Sequence, residues 1–218
     1  MSGRAGVSQW EEVANAMSHG LGLVGSIAAL PLLIMLGMRR GDPLEAVGAA
    51  VFGVSLLLVY VTSTVYHALP LGKTKDRWRR LDHAAIYVLI AGTYTPFTLG
   101  VLRGPLGWKL LVIVWSVAVA GATLKIIFGA SRLMPLSTVA YLAMGWMAVV
   151  AFEPLLARVG WHGLAWLFGG GLAYTAGVIF FSCDQKIRFG HCVWHVFVLG
   201  GSVCHAVAVA VYAIGAPK

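Results

Sequence analysis

The sequence predicts an all-α, polytopic membrane protein: a seven-transmembrane-helix bundle with its N-terminus in the cytoplasm. Three observations carry this expectation. Of 218 residues, 59% are hydrophobic and only 11% are Asp, Glu, Lys or Arg. A soluble domain carries about 25% charged residues, so this chain lacks the charge to cover a water-facing surface, and the excess apolar surface must face lipid. The apolar residues also gather in seven stretches, each near the ~20 residues that cross a bilayer core about 30 Å thick. The breaks between them are short and rich in Gly, Pro, Lys and Arg, which makes neighbouring helices antiparallel within one bundle.

In chain order the stretches are 16–37, 45–69, 82–102, 107–129, 134–156, 164–182 and 190–214. Residues 1–15 form a short cytoplasmic segment, 16–214 a single transmembrane domain, and 215–218 a short tail. The segment Met1 to Asn15 contains Arg4, Glu11 and Glu12 and has no short apolar core ending in small residues. It does not read as a cleaved signal peptide, so the first apolar run is expected to be retained. Pro96 is expected to kink the third helix. Gly169-Gly170-Gly171 in the sixth follows no strand, which argues against a phosphate loop; small residues there let helices approach closely.

The formal net charge of +8 does not signal nucleic-acid binding, because the basic residues sit between apolar runs, where they set membrane orientation. With the N-terminal side called side A, ten of the 16 Lys and Arg fall there: Arg4, Lys73, Lys75, Arg77, Arg79, Arg80, Lys125, Arg132, Lys186 and Arg188. Arg39, Arg40, Arg103, Lys109, Arg158 and Lys218 fall on side B. The excess makes side A cytoplasmic. Most of it comes from a basic loop, Lys73 to Arg80, which is chiefly a topology signal and a possible contact for anionic headgroups. The cysteines, Cys183, Cys192 and Cys204, are odd in number and lack CxxC spacing. They read as buried free thiols.

Ionisable groups inside a membrane are costly and usually functional. The sharpest set is Ser63 and His67 near the end of the second helix, Asp82 at the start of the third, and His191 and His195 at the start of the seventh. Given the helix count, all five lie at one depth near side A. His191 and His195 are four apart and share a helix face, as do Ser63 and His67. His67, His191 and His195 can supply three neutral nitrogen ligands and leave a fourth position for water, the pattern of a catalytic zinc site. Asp82 could hydrogen-bond that water or orient a ligand. Cys192 stands where the glutamate of an HExxH metalloprotease helix would be, so the base must come from another helix: Asp82 first, Glu12 second. Three histidines and an aspartate at matched depth favour a metal over a plain interhelical hydrogen-bond network. His19 is a supporting group or an interhelical hydrogen bond. His83 points about 100° from Asp82 and is expected to pack elsewhere. His205 is too deep to share the metal. His162 is expected on a solvated loop, and Glu153 is expected to snorkel to the interface.

The motifs Glu12-x-x-Asn15-x-x-Ser18-His19-Gly20, Ser63-x-x-x-His67, Asp82-His83, Gly92-Thr93-Tyr94-Thr95-Pro96, Met144-Gly145-Trp146, Gly170-Gly171-Leu172-x-Tyr174-x-x-Gly177 and His191-x-x-Trp194-His195 occur in this order. Together they resemble the hemolysin III family, the bacterial branch of the adiponectin and progestin receptor superfamily, over nearly the whole chain. The resemblance implies a multi-pass protein of the bacterial cytoplasmic membrane. It implies one zinc ion near the cytoplasmic face on His67, His191 and His195, with Asp82 and Ser63 beside it. Glu12, Asn15 and His19 are expected in support. The choice of zinc rests mainly on this resemblance, because three histidines suit several metals. Three functions remain open: a hydrolase of lipid amides or esters, ceramidase-like, working through a metal-activated water and drawing an acyl lipid from the bilayer; a sensor with a structural zinc; and a pore-forming haemolysin. A pore needs polar residues across the whole membrane, and here they gather at one end.

Overall fold

The structure is a computed structural model and describes residues 7–39, 41–131 and 134–214. Arg4, Arg40, Arg132 and Lys218 of the charge tally, residues 1–6 of segment 1–15, and the 215–218 tail lie outside the described residues. Among the described residues every regular element is helical: α1 (Gln9–Met38), α2 (Pro43–Ala68), α3 (Lys73–Leu99), α4 (Pro105–Phe128), α5 (Met134–Trp146), a 3-10 segment Met147–Ala151, α6 (Phe152–Ser182) and α7 (Gly190–Ala208), which runs on as a π-helical segment Val209–Ala213. Five helical stretches among the described residues are long and apolar enough to cross a membrane: Gln9–Met38, Pro43–Ala68, Pro105–Phe128, the 49-residue Met134–Ser182 and Gly190–Ala213. Their outer faces carry exposed apolar side chains. On α1 these include Met17, Leu21, Val24, Leu32 and Met35, spaced as one helical stripe.

The helix starts differ from the apolar runs for physical reasons. The first helix begins at Gln9 rather than near residue 16, because Ser8 and Glu11 form a reciprocal capping box. Glu12 and Asn15 are therefore helical. The expected basic loop Lys73 to Arg80 is instead the first two turns of α3. Its cations hold neighbouring helix ends: Lys75 Nζ donates to the carbonyls of Tyr66 (3.0 Å) and Leu69 (2.9 Å) at the end of α2, and Arg80 Nη1 donates to Ile126 O (3.0 Å) at the end of α4. Cations at helix C-termini satisfy orphan carbonyls and oppose the dipole.

The centre of the bundle is the second half of α3. Ala91 through Leu99 are all buried, which requires neighbours on every side. Thr93, Thr95 and Thr98 return their hydroxyls to backbone carbonyls at 2.8, 2.9 and 3.0 Å. A helix enclosed by protein needs no lipid-compatible surface, and this accounts for a composition less apolar than that of its neighbours.

Within α6, Gly160 sits at φ 64°, ψ −179° and breaks the helix. The chain doubles back there. Trp146 Nε1 donates to Thr175 Oγ1 at 3.0 Å, and Phe152 packs on Trp161 and Phe168. The expected loop 157–163 is thus a reversal at one residue, and His162 lies on a helix, exposed. The α6–α7 contact is close as the glycine run suggested. A Cβ on Gly170 would strike the His205 ring, and one on Gly177 would lie 2.7 Å from Trp194.

Candidate metal centre

Four helix ends converge on side A: the starts of α1, α3 and α7 and the end of α2. His67, His191 and His195 offer ligand atoms within 4.8 Å of one another. Their ring centroids form a nearly equilateral triangle, 5.1 Å for His67–His191, 5.0 Å for His67–His195 and 4.7 Å for His191–His195. The i, i+4 spacing of the α7 pair produces its side of the triangle, and α2 brings the third ring.

Each ring is oriented from outside. His67 Nδ1 donates to Glu12 Oε2 at 2.7 Å, and Glu12 is itself paired with Lys75 at 3.2 Å. His191 Nδ1 lies 3.1 Å from Asp184 Oδ2. His195 Nδ1 meets the carbonyl of Asn15 at 3.2 Å and Ser18 Oγ at 3.0 Å. Carbonyl and carboxylate oxygens only accept, so Nδ1 carries a proton in all three rings, which leaves Nε2 as the nitrogen available to a ligand. His67 Nε2 is buried with no partner. Imidazoles anchored through Nδ1–H on an oxygen, three of them with ligand atoms within 4.8 Å of one another, are what a metal site requires. These residues fit a metal ion.

Around the triangle, His19 stacks on His195 with centroids 3.5 Å apart and planes 13° apart, and its Nδ1 lies 2.7 Å from Ser63 Oγ. Ser63 is completely buried. Asp82, Ser63, His19, His191 and His195 line one cavity of about 170 Å³, above the ~150 Å³ that houses a benzene-sized ligand. Away from these residues its walls are mainly apolar and aromatic: Leu89, Phe97, Leu110, Leu155, Trp146, Phe168 and Val198 take part. Asp82 and Phe97 are 15 residues apart on α3, about 22 Å at 1.5 Å per residue, so the cavity follows the long axis of the bundle.

The sequence reading named most of these groups and missed some partners. Asp184 sits in the turn before α7, outside any helical periodicity, and its only signal was an acid close ahead of two histidines. Lys75 was counted as an orientation charge, yet it is 5% exposed and bound to Glu12. Glu12, the second candidate base, is engaged by His67 and Lys75. Asn15 contributes its backbone carbonyl rather than its side chain. His83 does not pack away from the site: it lines the same cavity as Asp82. His205 donates from Nε2 to Leu167 O at 3.1 Å, away from the triangle. The three cysteines are free, but each is half-buried rather than buried.

Fold and site together define a helical membrane protein with a histidine cluster that could hold a metal ion beside an elongated apolar cavity. The model for "Haemolysin-III related" proteins matches residues 7–206, and the chain belongs to the haemolysin III family. It is 48% identical over 207 residues to the Hemolysin-3 homolog of Bacillus subtilis (strain 168), covering 95% of this chain and 96% of that one. It is 47% identical over 192 residues to Hemolysin-3 of Bacillus cereus, covering 88% and 87%. Similarity extends to the human monocyte to macrophage differentiation factor, at 30% identity over 224 residues, 99% of this chain and 90% of the relative.

Proposed function

We propose that this protein crosses the bacterial cytoplasmic membrane seven times with side A in the cytoplasm, holds one zinc ion on His67, His191 and His195, and hydrolyses lipid amides or esters. Seven passes follow if enclosed α3 shares the membrane layer of its neighbours and the 49-residue stretch counts as two helices joined at Gly160. The observation that carries the activity is the cavity: Ser63, Asp82 and the histidine cluster stand at one end, and a mainly apolar tube suited to an acyl chain runs away from them, with His205, Tyr174 and Thr175 among its few deeper polar groups. A structural metal alone needs no such tube. The largely apolar far walls also give ions no polar path, which disfavours a pore.

Zinc is chosen over other metals because three neutral nitrogens with an open position match its catalytic pattern and the family motifs point the same way. When bound, the ion would acidify a water and polarise an acyl carbonyl. Asp82 accepts the proton from the attacking water and delivers it to the leaving nitrogen or oxygen. Ser63 Oγ, fixed by His19 Nδ1 at 2.7 Å, hydrogen-bonds the carbonyl oxygen as it gains charge. Glu12 and Asp184 keep the rings of His67 and His191 aimed. The apolar walls hold the acyl chain and keep bulk water out.

The test is turnover of a ceramide and of an acyl ester by purified protein of measured zinc content, beside Asp82→Asn. The wild type should release fatty acid. Asp82→Asn should keep its metal and lose about 10²–10⁴-fold in rate. Zinc-loaded wild type that cleaves neither lipid would remove the hydrolase reading and leave the sensor.

A further inference from the structure

A second cavity opens on side A against the same histidines. Glu11, Glu12, His67, Arg79, Asp184 and Arg188 are among its walls, and it shares His83, Phe181 and His191 with the apolar cavity. The two spaces meet at the candidate metal centre, one polar and one apolar. A molecule occupying both would be an amphiphile with its head in the vestibule.

The charges of the vestibule are unequally engaged. All three carboxylates already have partners: Glu11 accepts from Ser8 N and Oγ and from Phe189 N, Glu12 lies between His67 and Lys75, and Asp184 holds His191. Among the cations at the start of α3, Lys75 and Arg80 cap neighbouring helices, and Lys73 and Arg77 are exposed. Arg79 alone of these is half-buried and lines the vestibule with no hydrogen bond or ion pair to a described residue, although its charge also reaches Asp82, a turn further along α3. It precedes Asp82 and His83 by three and four residues, so the three share one face of α3, with Arg79 a turn nearer the cytoplasm. A guanidinium presents a planar fork of donors that matches a carboxylate or a phosphate.

We propose that Arg79 binds the anionic head of the lipid this site accepts, a carboxylate or phosphate, while the acyl chain lies in the apolar cavity. This rests on reading that cavity as an acyl-chain site; it does not require hydrolysis. Trp146 and Trp194 line the apolar cavity, so quenching of tryptophan fluorescence by a brominated acyl chain reports entry. The full-length protein in neutral detergent is titrated with a brominated fatty acid, its methyl ester, and a lysophosphatidic acid with the same chain.

Wild type should bind the anionic probes roughly tenfold more tightly than the ester. Arg79→Gln should erase that gap without weakening the ester, and Arg79→Lys should keep part of it. Whichever anion binds better identifies the source, a fatty acid or a phospholipid head. Equal affinity for all three probes in wild type, or a gap that persists in Arg79→Gln, overturns the proposal. So does a gap lost only in Lys186→Gln/Arg188→Gln, which would move recognition to the exposed rim. Anion-selective binding without cleavage of any amide or ester would sink the hydrolase reading and leave this one standing. No quenching by any probe removes the acyl cavity on which both rest.

Discussion

On side B, Asp42 accepts from Leu44 N at 3.0 Å, capping α2, and pairs with Arg103 Nη1 at 2.8 Å, while Arg103 Nε donates to Leu99 O at 2.6 Å. Each of these groups is satisfied by a near neighbour in the chain or by one partner, and together they hold a helix start to a helix end. On side A the polar groups come from four helices distant in sequence, and their hydrogen bonds stop short of completion. Nδ1 of each histidine is anchored, yet His67 Nε2 and His19 Nε2 are buried without a partner. A buried polar atom without a partner costs about 1–3 kcal/mol. Side B also has such an atom, Glu45 Oε2; what sets side A apart is that its unpaired atoms are nitrogens of clustered histidines, which a metal ion could use.

The comparison breaks most sharply at α7. His191→Ala/His195→Ala should reduce bound metal from about one ion per chain to none by elemental mass spectrometry. A folded double variant that keeps its metal would show that the open valence is not a ligand set. A smaller effect is expected one layer out. Glu12→Gln and Asp184→Asn should each weaken metal affinity about 10–100-fold in a chelator competition, because the ring's partner loses its negative charge while the ligand atom remains. No change would mean that helix packing alone orients the rings. The smallest effect belongs to side B. Arg103→Gln should lower stability by about 0–1 kcal/mol, as for a partly exposed pair, with metal content unchanged. Loss of metal from that variant would mean that the two ends are coupled.

Much of this arrangement was legible in the residues. Apolar runs revealed the helices because lipid-facing surface must be apolar, and i, i+4 spacing revealed the α7 pair because helix geometry fixes which side chains share a face. What was hidden follows from tertiary context. Lys73 to Arg80 has a loop's composition, yet it is helical because its cations cap α2 and α4, contacts that no local pattern encodes. Asp184 reaches His191 from an irregular turn, where no period tells direction. Arg79 reads like any other orientation charge until its neighbours' partners are known. His83 looked excluded by a 100° rotation from Asp82, but a cavity running along the helix is wide enough to touch both.

The reversal at Gly160 has a topological consequence. At 1.5 Å per residue, an unbroken Met134–Ser182 would be about 74 Å long, more than twice the thickness of a bilayer core. Folding it in two changes the parity of the chain. With the reversal, α7 starts on the same side as α1, and His191 and His195 meet His67. Without it, the pair would emerge at the opposite face, a full membrane away from their partner. The meeting of the three histidines thus depends on one glycine at φ 64°, a conformation that side chains with a Cβ rarely adopt, in a part of the protein that touches none of them.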